Sequence, residues 1–238
     1  MPLRTEKTLL TQQEAAERLN VSQSAISQLL RSRALQPAAT NNGRNVYVTA
    51  ESVIRYSRQR HDSGRPMSPD TAMGLLYMLD GRNADWLTRQ QKHRVRTCLN
   101  TASPGEVAWA VRNRARTVRV YAFPPNLPKL RRQSLDGGVT NEKVSLRFGL
   151  ASKTGMLECY MSETMISGFL SDWTVRETDT SNMIVHVVSD GMFTLMREHG
   201  GVPLAACAVD LMESSDPREY ATGLEQFEEM IEEWRSRA

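Results

Sequence analysis

A chain of 238 residues, 40% of them apolar, can bury a proper core and has room for one or two domains or a few compact units. No run of eighteen apolar residues occurs and the opening Met-Pro-Leu-Arg-Thr-Glu-Lys has no apolar signal core, so a helical membrane span is not expected and a cytoplasmic protein is. The net charge of +3 hides a polarity: residues 1–66 hold 10 basic and 5 acidic side chains, residues 67–132 hold 12 and 4, and residues 133–238 hold 8 and 18.

Phosphate would attract the first 132 residues and repel the rest. That asymmetry predicts DNA on the N-terminal half and, on the acidic half, a basic protein partner or a second copy of the chain. Cys98, Cys159 and Cys207 stand far apart in no Cys-x-x-Cys or Cys-His pattern. They read as buried free thiols in a reducing compartment, and no metal site or cofactor is expected.

The first organised stretch runs from Thr11 to Arg31. Thr11 and Glu14 form a T-x-x-E capping box that starts a helix at Gln12. The small side chain of Ala16 lets a second helix cross closely, with Leu19, Val21, Ile26 and Leu29 as apolar contacts. Asn20 falls where the chain must turn sharply, in a left-handed conformation that Asn tolerates better than most residues other than Gly. Ser22 caps the second helix. Gln23, Ser24, Ser27, Gln28 and Arg31 then point away from the apolar face, suited to base edges and, for Arg31, to guanine or phosphate. Paired amphipathic helices also occur in proteins that never touch DNA. The helix-turn-helix reading therefore rests on how many terminus and spacing rules are met together.

Leu35 to Val48 reads as a two-stranded wing with its turn at Asn41-Asn42-Gly43-Arg44 and Val46-Tyr47-Val48 as the return strand. Thr49 opens a further helix to about Arg60, with Val53, Ile54 and Tyr56 inward and Arg55, Arg58 and Arg60 outward. Glu14 to Ser22, the short Arg-Ser-Arg-Ala-Leu link, the wing and the Thr-Ala-Glu-Ser-Val-Ile-Arg-Tyr helix together resemble the winged-helix DNA-binding units of excisionases and MerR-type regulators. The resemblance covers about the first quarter of the chain. It implies a recognition helix in the major groove, carried by Ser22, Gln23, Ser24, Ser27, Gln28 and Arg31. It also implies a wing on the flanking backbone or minor groove, carried by Asn42 and Arg44, with Arg33 of the link as a further contact.

His61 to Pro66 looks like a linker, and Ser68-Pro69 then begins a helix carrying Met73, Leu75, Leu76, Met78 and Leu79. Thr88 with Gln91 and Ser103 with Glu106 are further capping boxes, opening helices that end near Asn100 and Arg116. Arg89, Lys92, His93 and Arg96 recur at helical spacing, and Arg112, Arg116 and Arg119 continue the basic character. Either a solvated face or a second backbone contact would account for them. Trp86 and Trp109 read as packing anchors.

Val118 to Phe123 alternates as a strand, stopped by Pro124 and Pro125. Val144 to Leu150, Gly155 to Met161 and Met183 to Val188 read as strands, with helices around Glu163 to Leu170 and Ala205 to Met212. Asp216-Pro217-Arg218-Glu219 starts a last helix in which Tyr220, Leu224, Phe227, Ile231 and Trp234 form one apolar seam, while Glu225, Glu228, Glu229, Glu232 and Glu233 cover much of the rest. The seam closes its own core or forms a dimer or partner interface.

Arg119 to Arg132, the Ile184 to Val188 strand and above all Val202 to Glu219 are similar to the C-terminal regions of AbiEi-type antitoxins of type IV toxin-antitoxin systems. That resemblance implies a winged helix-turn-helix that represses its operon and a C-terminal domain that neutralises a nucleotidyltransferase toxin. The helix-turn-helix here is more excisionase-like than that family's usual unit. His186, Ser189, Asp190, and His199 with Asp210 are the clustered candidates for catalysis, but they lack a nucleophile elbow, metal spacing or phosphate-binding loop, so no enzyme is expected.

The sequence thus predicts an α+β chain with a winged helix-turn-helix over residues 1–62, a basic helical segment over 67–132 and an acidic α+β protein-interaction domain over 133–238. The expected function is that of a sequence-specific DNA-binding regulator, an autorepressor and the antitoxin of a toxin-antitoxin pair. Its partners would be double-stranded DNA, a cognate toxin and a second copy in a homodimer, with no membrane. An excisionase-like architectural factor is the alternative.

Overall fold

The computed structural model describes residues 9–31, 34–35, 37–38, 46–59, 65–172, 174–177 and 181–237. The chain forms two compact units, Met1–Arg60 and His61–Ala238. The fold is α+β.

In the first unit the order is β1 (Leu9–Leu10), α1 (Gln12–Leu19), α2 (Gln23–Arg31), β2 (Pro37–Ala38), β3 (Tyr47–Thr49) and α3 (Ala50–Gln59). Both halves of the capping box form, with the Glu14 amide on Thr11 Oγ1 at 3.1 Å and the Thr11 amide on Glu14 Oε2 at 2.8 Å. Asn20 ends α1 at φ 49° and ψ 52°, and its amide closes the helix onto the carbonyls of Ala16 and Glu17. Thr49 caps α3 by accepting the Ser52 amide at 3.2 Å. Leu10, Ala15, Ala16, Leu19, Ile26, Leu35, Val48 and Val53 make the core. The strands form an antiparallel sheet in the order β1-β3-β2, with Pro37 opposite Val48 and Leu10 opposite the same residue on the other side. The hairpin base expected for a wing is therefore present, and β1 adds an edge that two adjacent leucines gave no alternation to reveal. The wing turn, Asn41 to Arg44, lies outside the described residues.

The second unit runs α4 (Pro69–Leu79), α5 (Arg89–Thr101), α6 (Pro104–Ala110), β4 (Arg116–Ala122), α7 (Leu127–Gln133), β5 (Leu135–Asp136), α8 (Glu142–Phe148), β6 (Leu157–Ser162), α9 (Glu163–Ser171), β7 (Val175–Glu177), β8 (Met183–Val188), α10 (Asp190–Glu198), α11 (Leu204–Met212) and α12 (Pro217–Arg237). The sheet order is β5-β6-β8-β4-β7, parallel between β6 and β8 and antiparallel elsewhere. Strand alternation divides its faces. Val118, Val120, Leu157, Cys159, Met161, Met183, Val185 and Val187 pack with Leu130 of α7 and Ile166 of α9. Thr117, Glu158, Tyr160 and His186 lie on the opposite parity, and Tyr160 joins the helical core of α4, α10, α11 and α12. Every residue from Thr71 to Leu79 of α4 is buried, so this helix is the centre of that core.

Four expectations need correction. The 67–132 segment is not a separate helical unit, because β4 lies between β8 and β7 in the sheet built by the rest of the chain. Val144 to Leu150 is not a strand but mostly α8, capped by Asn141, whose Oδ1 accepts the Lys143 amide at 3.1 Å. Its Val-x-Leu-x-Phe alternation fits both periods, since Val144 and Phe148 stand four apart and are buried together while Leu146 is 88% exposed. The helix opened by Ser103 stops at Ala110, and the chain from Arg116 is already extended. Cys98 is half-buried rather than buried, although all three cysteines are free as expected.

α12 closes the core of its own unit through Gly223, Phe227, Met230 and Ile231, so that of the expected seam Phe227 and Ile231 are buried while Tyr220, Leu224 and Trp234 are half-buried. A Cβ on Gly223 would stand 2.7 Å from the Ala208 carbonyl oxygen and 2.9 Å from the Met212 nitrogen of α11. Rigid backbone on both sides cannot yield cheaply. Gly223→Ala should therefore lower the unfolding free energy by about 1–3 kcal/mol, as overpacking does. Urea denaturation followed by tryptophan fluorescence would measure it, and an unchanged midpoint would contradict the close crossing.

Candidate nucleic-acid interface

At 100° per residue, Gln23, Ser24, Ser27, Gln28 and Arg31 of α2 occupy one arc, while Ile26 points into the core. Gln23, Ser24, Gln28 and Arg31 are exposed and Ser27 is half-buried. The nine residues of α2 span about 13 Å, comparable to the width of the DNA major groove.

The hydroxyls on this arc are already bonded within the unit. Ser22 Oγ accepts the Ala25 amide at 3.2 Å as the cap of α2 and lies 2.8 Å from Ser24 Oγ. Ser27 Oγ donates to Gln12 Oε1 of α1 at 3.0 Å, across the turn, and lies 3.3 Å from the Gln23 carbonyl. Gln23, Gln28 and Arg31 are left as exposed side chains with no partner among the described residues. Of the expected contacts, the structure thus brings Ser22, Gln23, Ser24, Ser27, Gln28 and Arg31 to one surface, and assigns Ser22 and Ser27 structural bonds in addition. Arg33, Asn42 and Arg44 lie outside the described residues. Gln12 carries no signal in the sequence, because its bond to Ser27 joins positions that no helical period links.

The catalytic candidates of the second unit have different roles. Ser189 caps α10 by accepting the Met192 amide at 3.2 Å. Asp190 is exposed, and hydrogen bonds from Ser162 and then Thr164 hold its carboxyl below the usual range. His199 ends α10, where its Nδ1 lies 2.9 Å from the Leu195 carbonyl and its ring packs edge-on to Trp86 and Tyr77.

His186 and Asp210 do meet, in a buried network under α11. His186 Nε2 lies 3.0 Å from Glu158 Oε1 and 3.6 Å from Asp210 Oδ1. Asp210 Oδ1 accepts from Arg114 Nη2 at 2.7 Å, Arg114 Nε at 3.2 Å and the Tyr160 hydroxyl at 2.8 Å, and Oδ2 accepts the Gly138 amide at 3.2 Å. Gly138 sits at φ +41°, and a Cβ there would fall 1.8 Å from Glu158 Oε2. Arg114 also reaches Glu213 at 2.6 Å, and burial, which works against its cation, is overcome by Glu213, Tyr160 and Asp210.

Glu158, His186 and Asp210 place their donor atoms within 4.8 Å of one another, close enough for a metal ion. The chemistry of the set does not fit one. Asp210 Oδ1 already accepts from three donors and Oδ2 from the Gly138 amide, and the Arg114 guanidinium supplies the cation beside it. The arrangement ties α11 to β4, β6 and β8 as a closed ion network.

Residues 9–61 match the family model of a helix-turn-helix domain. No curated protein and no solved structure matches the chain significantly. The first unit is accordingly a helix-turn-helix DNA-binding unit, which is the class that its caps, turn and exposed α2 surface define. Among the described residues no helix is long and apolar enough to cross a membrane.

Burial alone would lower the pKa of His186, but Asp210 and then Glu158 outweigh it and hold the imidazolium above its ordinary range. A folded-state pKa raised above the unfolded value near 6.5 gives stability that is complete below that value and lost as pH rises through the folded one. The unfolding free energy of the second unit should therefore fall as pH is raised above about 6.5. His186→Gln should cost about 3–5 kcal/mol at pH 6, by leaving Glu158 buried without its cation, and should flatten that fall. Denaturant titrations at several pH values would show both effects, and a variant with the parent's slope would refute the protonated His186.

Proposed function

We propose that the protein is a sequence-specific transcriptional regulator that represses its own gene. The observation that carries this reading is the exposed, unpartnered set Gln23, Gln28 and Arg31 on the second helix of a helix-turn-helix unit, with the chemistry that base edges require. The charge distribution supports it, since the acidic side chains are concentrated after residue 132. A protein of this kind works where the chromosome is, in the cytoplasm.

The second unit, in this reading, is a binding module and not an enzyme. Its buried titratable groups are committed to one another, and Glu225, Glu228, Glu229, Glu232 and Glu233 of α12 form an exposed acidic face. Such a face suits a basic protein, and a cognate toxin is the partner we propose, which makes the chain an antitoxin. An excisionase, by contrast, would need only residues 1–66 and would act by bending DNA.

Gln28→Ala combined with Arg31→Ala should abolish preference for DNA from upstream of the gene over random DNA, at about 1–3 kcal/mol for each base that is no longer read. Anisotropy titrations at roughly physiological salt, where charge alone leaves weak affinity, would measure the preference. A double variant that still prefers the upstream DNA would remove α2 as the reader, and a parent protein indifferent to that DNA would overturn autorepression.

A further inference from the structure

The basic face of α5 has no task in the reading above. Its thirteen residues hold Arg89, Lys92, His93, Arg94 and Arg96 and no acidic residue. Val95 and Leu99 turn inward, and Arg89, His93, Arg94 and Arg96 are exposed. Arg89, His93 and Arg96 stand at i, i+4 and i+7, a stripe about 10 Å long. Lys92, at its flank, reaches Asp85 at 3.4 Å.

Several other arginines of the unit meet carboxylates: Arg82 meets Asp80 at 2.8 Å, Arg116 meets Glu163 at 2.7 Å and Arg131 meets Asp136 at 2.7 Å. Among the described residues none is directed at Arg89, Arg94 or Arg96, although residues 133–238 carry 18 acidic side chains. Arg89, Lys92 and Arg96, at i+3 and i+4 spacing, repel one another, and among the described residues only Asp85, 3.4 Å from Lys92, offsets that repulsion. A polyanion would supply the missing counter-charge.

We propose that α5 is a second, sequence-independent DNA contact that holds the phosphate backbone while α2 reads bases. The inference rests on the reading of the first unit as a DNA reader. Duplex DNA is the occupant because that unit already brings it, and the covalent link keeps the backbone at high effective concentration around α5.

The test uses the full chain, a random duplex of about 40 base pairs and anisotropy titrations between roughly 50 and 200 mM salt. Arg89→Gln with Arg96→Gln keeps helix-forming side chains. It should reduce the slope of log affinity against log salt by about 0.9 for each phosphate that is no longer neutralised, making the fall in affinity over that range about twelvefold smaller. Arg89→Lys with Arg96→Lys should keep the parent slope, since charge is what the backbone senses. The parent slope in the Gln variant overturns the proposal. So does an unchanged slope with an altered mass of the free chain in sedimentation, the sign that the stripe meets the acidic face of α12 in a second copy. Gln28→Ala with Arg31→Ala, tested for site preference beside them, reports on α2 alone, so failure of the DNA reading and failure of the α5 assignment give different patterns.

Discussion

Arg114 and Asp210 lie 96 positions apart and meet with their side chains almost entirely withdrawn from water. Neither charge could be buried alone, because the desolvation cost would exceed any packing gain, and each is tolerable only with the other in place. Tyr160, His186, Glu158 and the Gly138 amide complete the arrangement, so β4, β6, β8, α11 and the turn before α8 are fixed by one electrostatic requirement. Apolar packing fills the two sides of the sheet but would accept several registers. The polar row, with Tyr160 opposite His186 and His186 opposite Thr117, accepts one.

The DNA-binding unit obeys a constraint of another kind. Some of the polar side chains on the exposed arc of α2 are bonded to the scaffold. Ser22 and Ser24 hold the start of α2, and Ser27 latches it to α1 through Gln12. That fixes the pitch of α2 before DNA arrives and leaves the long side chains of Gln23, Gln28 and Arg31 exposed. Rigid placement of a few contacts is what limits the cost of ordering on binding.

What the sequence revealed follows from the range of each interaction. The capping boxes at Thr11, Thr88 and Ser103 are agreements among four neighbouring residues, and all three form. The left-handed Asn20 and the strand from Met183 to Val188 were legible for the same reason. α10 was not, since Ser189 and Asp190 drew attention as chemistry when their use is to open a helix. The buried network was hidden because Arg114, Glu158, His186 and Asp210 share no period or spacing. On the helix-turn-helix unit the exposed face of α2 was legible from helical geometry, whereas the separation of Ser27, latched to α1, from the unpartnered Gln28 required the position of Gln12.

The burial of α4 has a consequence for synthesis. This helix is the first element of its unit to leave the ribosome, yet α11 and α12, the last two, help to cover it. At about 5–20 residues per second a nascent chain carries an apolar helix without its cover for on the order of ten seconds. The DNA-binding unit, with a core drawn wholly from its own residues, is complete long before. A chain cut short within α12 would therefore join a folded helix-turn-helix unit to a body that displays its interior.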